Sequence, residues 1–239
     1  DLHSFPTRRS SDLPGFLLFK YWISVLPTPS VRPIAPMSKG NAMPSEPCQI
    51  RHRPFRDDDF DAVTDLCVRA WYGGVEGIYD RIVFGRVMTV GALRRSGVAR
   101  VAVTDERVVG ACFGGIYPNE RLVVNEEWDQ RFKDTMVVAR KRAKLGGIRI
   151  EERLFSKLRM YTVADVFISR GYATAQSEFN LLVVHPQFAG RGIGKRLFDD
   201  ALDIFARAGA QGCFAVVDDD FDLNFLKAQG NLADRKSVV

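Results

Sequence analysis

The 239-residue chain is poor in residues that staple a fold or hold a metal, with four cysteines and three histidines. Cys48, Cys67, Cys112 and Cys213 stand far apart with no paired spacing, which argues against a disulfide framework or a Cys/His metal site and fits a reducing cytoplasm. His3, His52 and His185 are equally scattered, so no metal is expected. Long apolar runs are also missing. The stretch from Gly15 to Leu26 is interrupted by Lys20, and no later run is long and apolar enough to span a bilayer, so no membrane partner is expected. Neither a Ser/His/Asp order nor a Cys/His pairing points to a covalent enzyme. Charge of one sign is scarce overall: the formal net charge of +5 gathers mainly in residues 118–177.

The two ends of the chain do not read as fold signals. Asp1 to Asp12 back-translate to what resembles a sequencing-library adapter read in frame, and Asp234 to Val239 back-translate to the reverse complement of its end. Residues 1–13 and 234–239 are therefore expected to be adapter-derived. Residues 14–44, with a Pro-rich run from Pro27 to Pro36, are expected to be a disordered or untranslated leader, and the natural start falls at Met37 or Met43. Residues 45–233 suit one domain.

What the chain does contain is a strand, a glycine turn and a helix in succession. Leu181 to Val184 is a short apolar run closed by Pro186, which predicts a buried strand. Gly190, Gly192 and Gly194 follow at alternate positions. Ile193, Leu197, Ala201, Leu202, Phe205 and Ala208 then recur at helical spacing. Such a turn presents the first N–H groups of the helix, at the positive end of its dipole, as an anion site, and Arg191 and Lys195 add charge. A Walker A loop is excluded by Ala189 and Arg196, and a dinucleotide fingerprint by Lys195 where a third glycine is needed.

Ala189-Gly190-Arg191-Gly192-Ile193-Gly194, after a strand ending Val-Val-His-Pro, resembles motif A of the GNAT superfamily of acyl-CoA-dependent N-acyltransferases. The pattern's two glycines match Gly192 and Gly194; Ala189 stands where Gln or Arg is usual. The resemblance implies an α/β fold, a GNAT-like mixed sheet flanked by helices. Its implied cosubstrate is acetyl-CoA, held by Leu182, Val183, Val184, Ala189, Gly190, Arg191, Gly192, Ile193, Gly194 and Lys195. An N–H of Leu182 to Val184 would polarise the thioester carbonyl. Glu178 is the implied base, with a solvated strand-edge acid as its alternative, and His185 reads as a turn residue. The family's tyrosine acid falls on Leu226 and is not carried over.

In chain order, a strand is expected at Gln49 to Arg53. Asp57 to Asp59 should start a helix burying Phe60, Val63, Leu66, Cys67 and Ala70. A second helix is expected from Gly77 to Leu93, with Ile78, Ile82, Val83 and Val87 among its apolar positions. Val98 to Val103 and Val108 to Ile116 read as a hairpin. Residues 118–177 read as an insertion with helices at Glu126 to Leu145 and Ile148 to Ser169. Cys213 to Val217 predicts a further strand, with the family's last strands missing and its outer edge open.

The function implied is acetyl transfer to a primary amine of a small molecule or peptide, and a homodimer is compatible with it. Two alternatives stay open: a non-catalytic acyl-CoA-binding domain, and a nucleic-acid module using Arg140, Lys141, Arg142 and Lys144. For the latter a solvated helix face is the simpler account, because the cluster is short and sits among acids.

Overall fold

The computed structural model describes residues 19–24, 49–105, 107–146, 148–169, 176–217 and 232–236. Seven strands form one sheet: β1 Phe19–Ser24, β2 Arg51–Pro54, β3 Val98–Thr104, β4 Arg107–Ile116, β5 Ser177–Val184, β6 Gly212–Val217 and β7 Leu232–Lys236. Their order is β2-β3-β4-β5-β6-β1-β7. All neighbours are antiparallel except β5 and β6, which are parallel. The helices are α1 Phe60–Cys67, α2 Ile78–Leu93, α3 Glu126–Gly146, α4 Ile148–Ser169 and α5 Ile193–Arg207.

Alternation along the central strands sorts the core into two layers. Val101, Val103, Ala111, Phe113, Leu181 and Val183 pack against α1, α2, α3 and α4. Ala102, Val109, Cys112 and Phe179 pack on the other face against α5. That helix buries Ile193, Leu197, Phe198, Ala201 and Phe205, and Phe179 stacks on Phe198 with ring centroids 4.4 Å apart. Each large side chain so buried contributes about 1.5–3 kcal/mol, so the head of α5 is held firmly over the end of β5.

A β-bulge sets the phase of β5. Gly114 pairs with Phe179 and Phe113 with Leu181, leaving Asn180 as the extra residue. The bulge lets Phe179 and Leu182 share the α5 face although they are three residues apart.

Several expectations are corrected. Ala70 is exposed rather than core, because Val68–Tyr72 forms a wide π turn that carries Tyr72 inward instead. Ile78 and Ile82 are exposed; they lie on the first turns of α2, before the helix passes between α1, the sheet and α3. The outer edge of β6 is paired, not open: Phe19–Ser24, from the stretch read as leader, lies antiparallel to it. Phe-Lys-Tyr-Trp-Ile-Ser is rich in strand-forming aromatics, which is the local reason for that pairing. β7 continues the sheet and includes Asp234, Arg235 and Lys236. Leu226 lies outside the described residues.

The insertion holds its two helices where periodicity placed them. α3 packs on α2, and Arg142 ties it there through Asp80 at 2.6 and 3.2 Å. Arg142 is thus a packing residue, while Arg140, Lys141 and Lys144 are exposed. No helix among the described residues is long and apolar enough to cross a membrane.

Candidate functional site

β5 and β6 pair only over Ser177↔Cys213, Glu178↔Phe214 and Phe179↔Ala215 and then separate, leaving a notch that opens at the bulge. The His185 N–H donates to the Val109 carbonyl, so the polar groups of Val183 also face β4. By the same alternation Leu182 and Val184 turn their N–H and C=O groups toward the notch. Of the three strand residues expected to hold a ligand, Leu182 and Val184 offer free backbone there and Val183 does not.

The glycine turn lies at the end of this edge. Pro186–Phe188 make one tight turn, capped by His185, whose Nδ1 accepts from the Gln187 N–H at 3.2 Å. Ala189 donates its N–H to the Pro186 carbonyl, so that amide is taken. Gly190 and Gly192 then adopt φ of +75° and +76°, a left-handed backbone that L side chains rarely occupy. Gly194 is helical, and a Cβ there would meet Val184 Cγ2 at an ordinary 3.4 Å. The first helical bond of α5 runs from Arg196 N–H to the Gly192 carbonyl, which leaves the N–H groups of Ile193, Gly194 and Lys195 without intrahelical partners. The Arg191 guanidinium lies 4.9 Å over the Phe188 ring, and Lys195 is paired with Asp199 at 2.7 Å. Such a row of unpartnered backbone amides has the geometry to cradle an anion, with the Arg191 charge beside it.

His185 is buried beside Arg107, whose Nη2 stands 3.1 Å from Nε2. Burial first, and the Arg107 charge second, lower its pKa. His52 is lowered by burial as well. In both cases the folded chain binds protons less readily than the unfolded chain. Their contribution to stability is therefore complete above the unfolded value of about 6.5 and is lost as pH falls below it. The melting temperature should drop between about pH 7.5 and 5.5, and less steeply in His185→Asn, which keeps an acceptor near Nδ1. Parallel slopes for the two proteins would remove His185 from this account.

Glu178 is not a solvated edge acid. It is 2 % exposed. Oε1 accepts from Arg95 Nη2 at 2.9 Å, and Oε2 accepts from the Tyr117 hydroxyl at 2.5 Å. With its amide turned so that both ends find partners, Asn180 donates to Oε2 at 2.8 Å and accepts from Ser96 Oγ at 3.2 Å. Burial pushes the carboxyl above its ordinary range, while Arg95 and Tyr117 pull against it. Burial also raises Tyr117 well above the usual phenol, which keeps it a donor. Arg95 also binds Asp165 of α4 at 2.7 Å. Tyr117, Arg95 and Asp165 were not singled out from the sequence.

A groove of about 500 Å³ runs elsewhere, between α1 and α2, lined by Asp61, Asp65, Arg69, Ile78 and Arg81 among others. It shares no residue with the glycine turn. No cluster of three metal-ligating side chains forms among the described residues.

The strand, glycine turn and helix all lie within a stretch that sequence comparison matches. A model of the acetyltransferase (GNAT) family matches residues 60–230, well over half of the chain. The chain belongs to the GNAT acetyltransferase family. Among curated proteins nothing matches it. Among solved structures it is similar to a GNAT family acetyltransferase from Brucella melitensis in complex with acetyl-CoA, at 14% identity and TM-score 0.43, over 77% of this chain and 82% of that one. It is also similar to the PaiA N-acetyltransferase from Thermoplasma acidophilum in complex with coenzyme A, at 12% identity and TM-score 0.42, over 76% and 87%. A third is the polyamine N-acetyltransferase of Drosophila melanogaster, which catalyses the formation of N-acetylagmatine, at 18% identity and TM-score 0.38, over 68% and 73%. The assignment of this GNAT chain rests on the match over residues 60–230.

Proposed function

We infer that this GNAT protein is an N-acetyltransferase that takes acetyl-CoA as cosubstrate and moves its acetyl group to a primary amine of a small molecule or peptide. The observation that carries the reading is the continuity of the notch with the cradle: an unpaired strand edge at Leu182 and Val184 leads into free amides from Gly190 to Lys195. A ligand with an amide-bearing arm and a pyrophosphate fits that sequence of groups. The arm would extend the sheet along β5, and the pyrophosphate would take the N–H groups of Gly190, Arg191, Gly192, Ile193, Gly194 and Lys195, with the Arg191 charge beside it. Ala189 would contribute contact but no amide.

The reaction follows from that placement. The neutral amine attacks the thioester carbonyl carbon, a C–N bond forms, the C–S bond breaks, and the thiolate leaves to take a proton. An N–H in the Leu182 to Val184 edge, aimed at the carbonyl oxygen, stabilises the charge that develops on it. Proton removal from the amine is left to solvent, because the acid on β5, Glu178, has both oxygens engaged. The described cysteines Cys67, Cys112 and Cys213 are free and buried, which supports the cytoplasm as the compartment.

Thiol release from acetyl-CoA, followed across a panel of polyamines, amino acids, aminoglycosides and peptide N-termini, tests the reading. At least one amine should raise release above the amine-free rate. Acetyl-CoA binding without release for any amine would favour a sensing domain, and no binding at all would end the cofactor reading too.

A further inference from the structure

We propose that Tyr117, Arg95 and Glu178 form a buried positioning unit that holds the Asn180 bulge in place, and with it the notch-facing backbone of Leu182. The inference rests on the transferase reading and deepens it, by turning the strand glutamate from a proton acceptor into a fixed anchor.

Three observations converge. Glu178 receives three donors on its two oxygens: Arg95 from the end of α2, Tyr117 just after β4, and Asn180 from the bulge itself. A general base needs a lone pair within hydrogen-bond reach of the substrate; three donors already take most of the roughly four acceptor sites of this carboxylate, and its 2 % exposure closes the remainder off from an incoming amine. Second, the unit sits where β5 leaves β6. Pairing ends at Phe179↔Ala215, and the next residue is Asn180. At that point β5 has lost its parallel neighbour and is held by β4 on one side only, so the grip on the bulge is what steadies its free edge. Third, the grip is tied into the insertion. Arg95 Nη1 reaches Asp165 of α4, and Tyr117 packs with Ala164, Ile168 and Phe214. Helix α4 thereby buttresses the start of β5.

A bulged strand that loses one of its grips can move by up to about 1 Å without unfolding. A displacement of that size at a reacting centre costs up to about a hundredfold in rate. Arg95 and Tyr117 are positioning residues in this sense, and Glu178 joins them.

Tyr117→Phe removes one hydroxyl and keeps the ring, and Glu178→Gln keeps the shape and removes the charge. Both are compared with the unaltered protein in two measurements. Amide hydrogen exchange in the ligand-free protein should rise about tenfold or more at Leu181, whose amide faces β4 next to the bulge, in Tyr117→Phe, with β3 unchanged. In thiol release with an accepted amine, both variants should lose about tenfold to a hundredfold in kcat. The affinity for acetyl-CoA and the pH at which kcat/KM falls on the acid side should stay as they are. The double variant should lose no more than the worse single one. Exchange at the bulge unchanged in Tyr117→Phe, or an acid limb abolished in Glu178→Gln, overturns the proposal, the second by restoring glutamate as the base. The exchange measurement needs no acyl transfer, so a chain that transfers nothing would sink the transferase reading while the positioning unit is still decided.

Discussion

Gly192→Asp is expected to lower the affinity for acetyl-CoA by about two to three orders of magnitude and to leave the fold in place. Gly192 is the N-cap of α5, with φ +76° and open space where a Cβ would stand. Asp tolerates the left-handed backbone better than most residues, at about 1 kcal/mol, so the protein should melt near its usual temperature. The ligand bears the loss. A carboxylate within about 4 Å of a pyrophosphate, at an effective dielectric near 20, repels it by roughly 4 kcal/mol, and each factor of ten in affinity is about 1.4 kcal/mol. Gly192→Ala separates the parts, since it adds the backbone strain without the charge and should weaken binding much less. Gly194→Ala should be milder still, because that residue is helical and its Cβ would find ordinary room. Calorimetric titration of the three variants should therefore rank them. Equal affinity in Gly192→Asp and the unaltered chain would dissociate the glycine turn from the cofactor.

How much of this was legible in the sequence depends on how local each cause is. The strand ending at Val184, the glycine turn and α5 could be read because each is fixed by a few neighbouring residues: an apolar run, glycines, an apolar stripe. The helices of residues 118–177 were legible for the same reason, but their destination was not, since the Arg142–Asp80 tie spans 62 residues. The π turn after Cys67 adds a fraction of a turn that no spacing rule announces, and so Ala70 was misplaced. The Asn180 bulge follows from pairing with β4, and its neighbours read as plain alternation. Glu178 is the sharpest case. A glutamate on a strand looks the same whether it meets solvent or two donors from residues 61 and 83 positions away, as Tyr117 and Arg95 are. Sequence pattern therefore located the glycine turn and missed the buried partners of Glu178.

Arg95→Met should destabilise the protein more than any surface change, by about 3–5 kcal/mol, because it strands Glu178 as a buried carboxylate without its cation. Arg95 is itself 3 % exposed, and besides Glu178 at 2.9 Å it holds Asp165 at 2.7 Å. Its loss thus also loosens α4 from the sheet. Against a total stability of roughly 5–15 kcal/mol, the variant would melt about 10 °C lower or more. The pH dependence identifies the cause. Without Arg95 the Glu178 carboxyl rises further above its unfolded value of about 4.3, so the folded state binds the proton more tightly than the unfolded state. The deficit relative to the unaltered chain is then fully expressed at neutral pH and shrinks as pH falls toward 5 and the carboxyl takes up its proton. Adding Glu178→Gln should return part of the stability, since the amide removes the stranded charge and can still receive the Tyr117 hydroxyl. A melting point within a degree or two of the original, or a deficit that stays constant from pH 8 to pH 5 and is not relieved in the double variant, would show that Arg95 contributes packing rather than charge. In that case the buried ion pair would not be what fixes the start of β5.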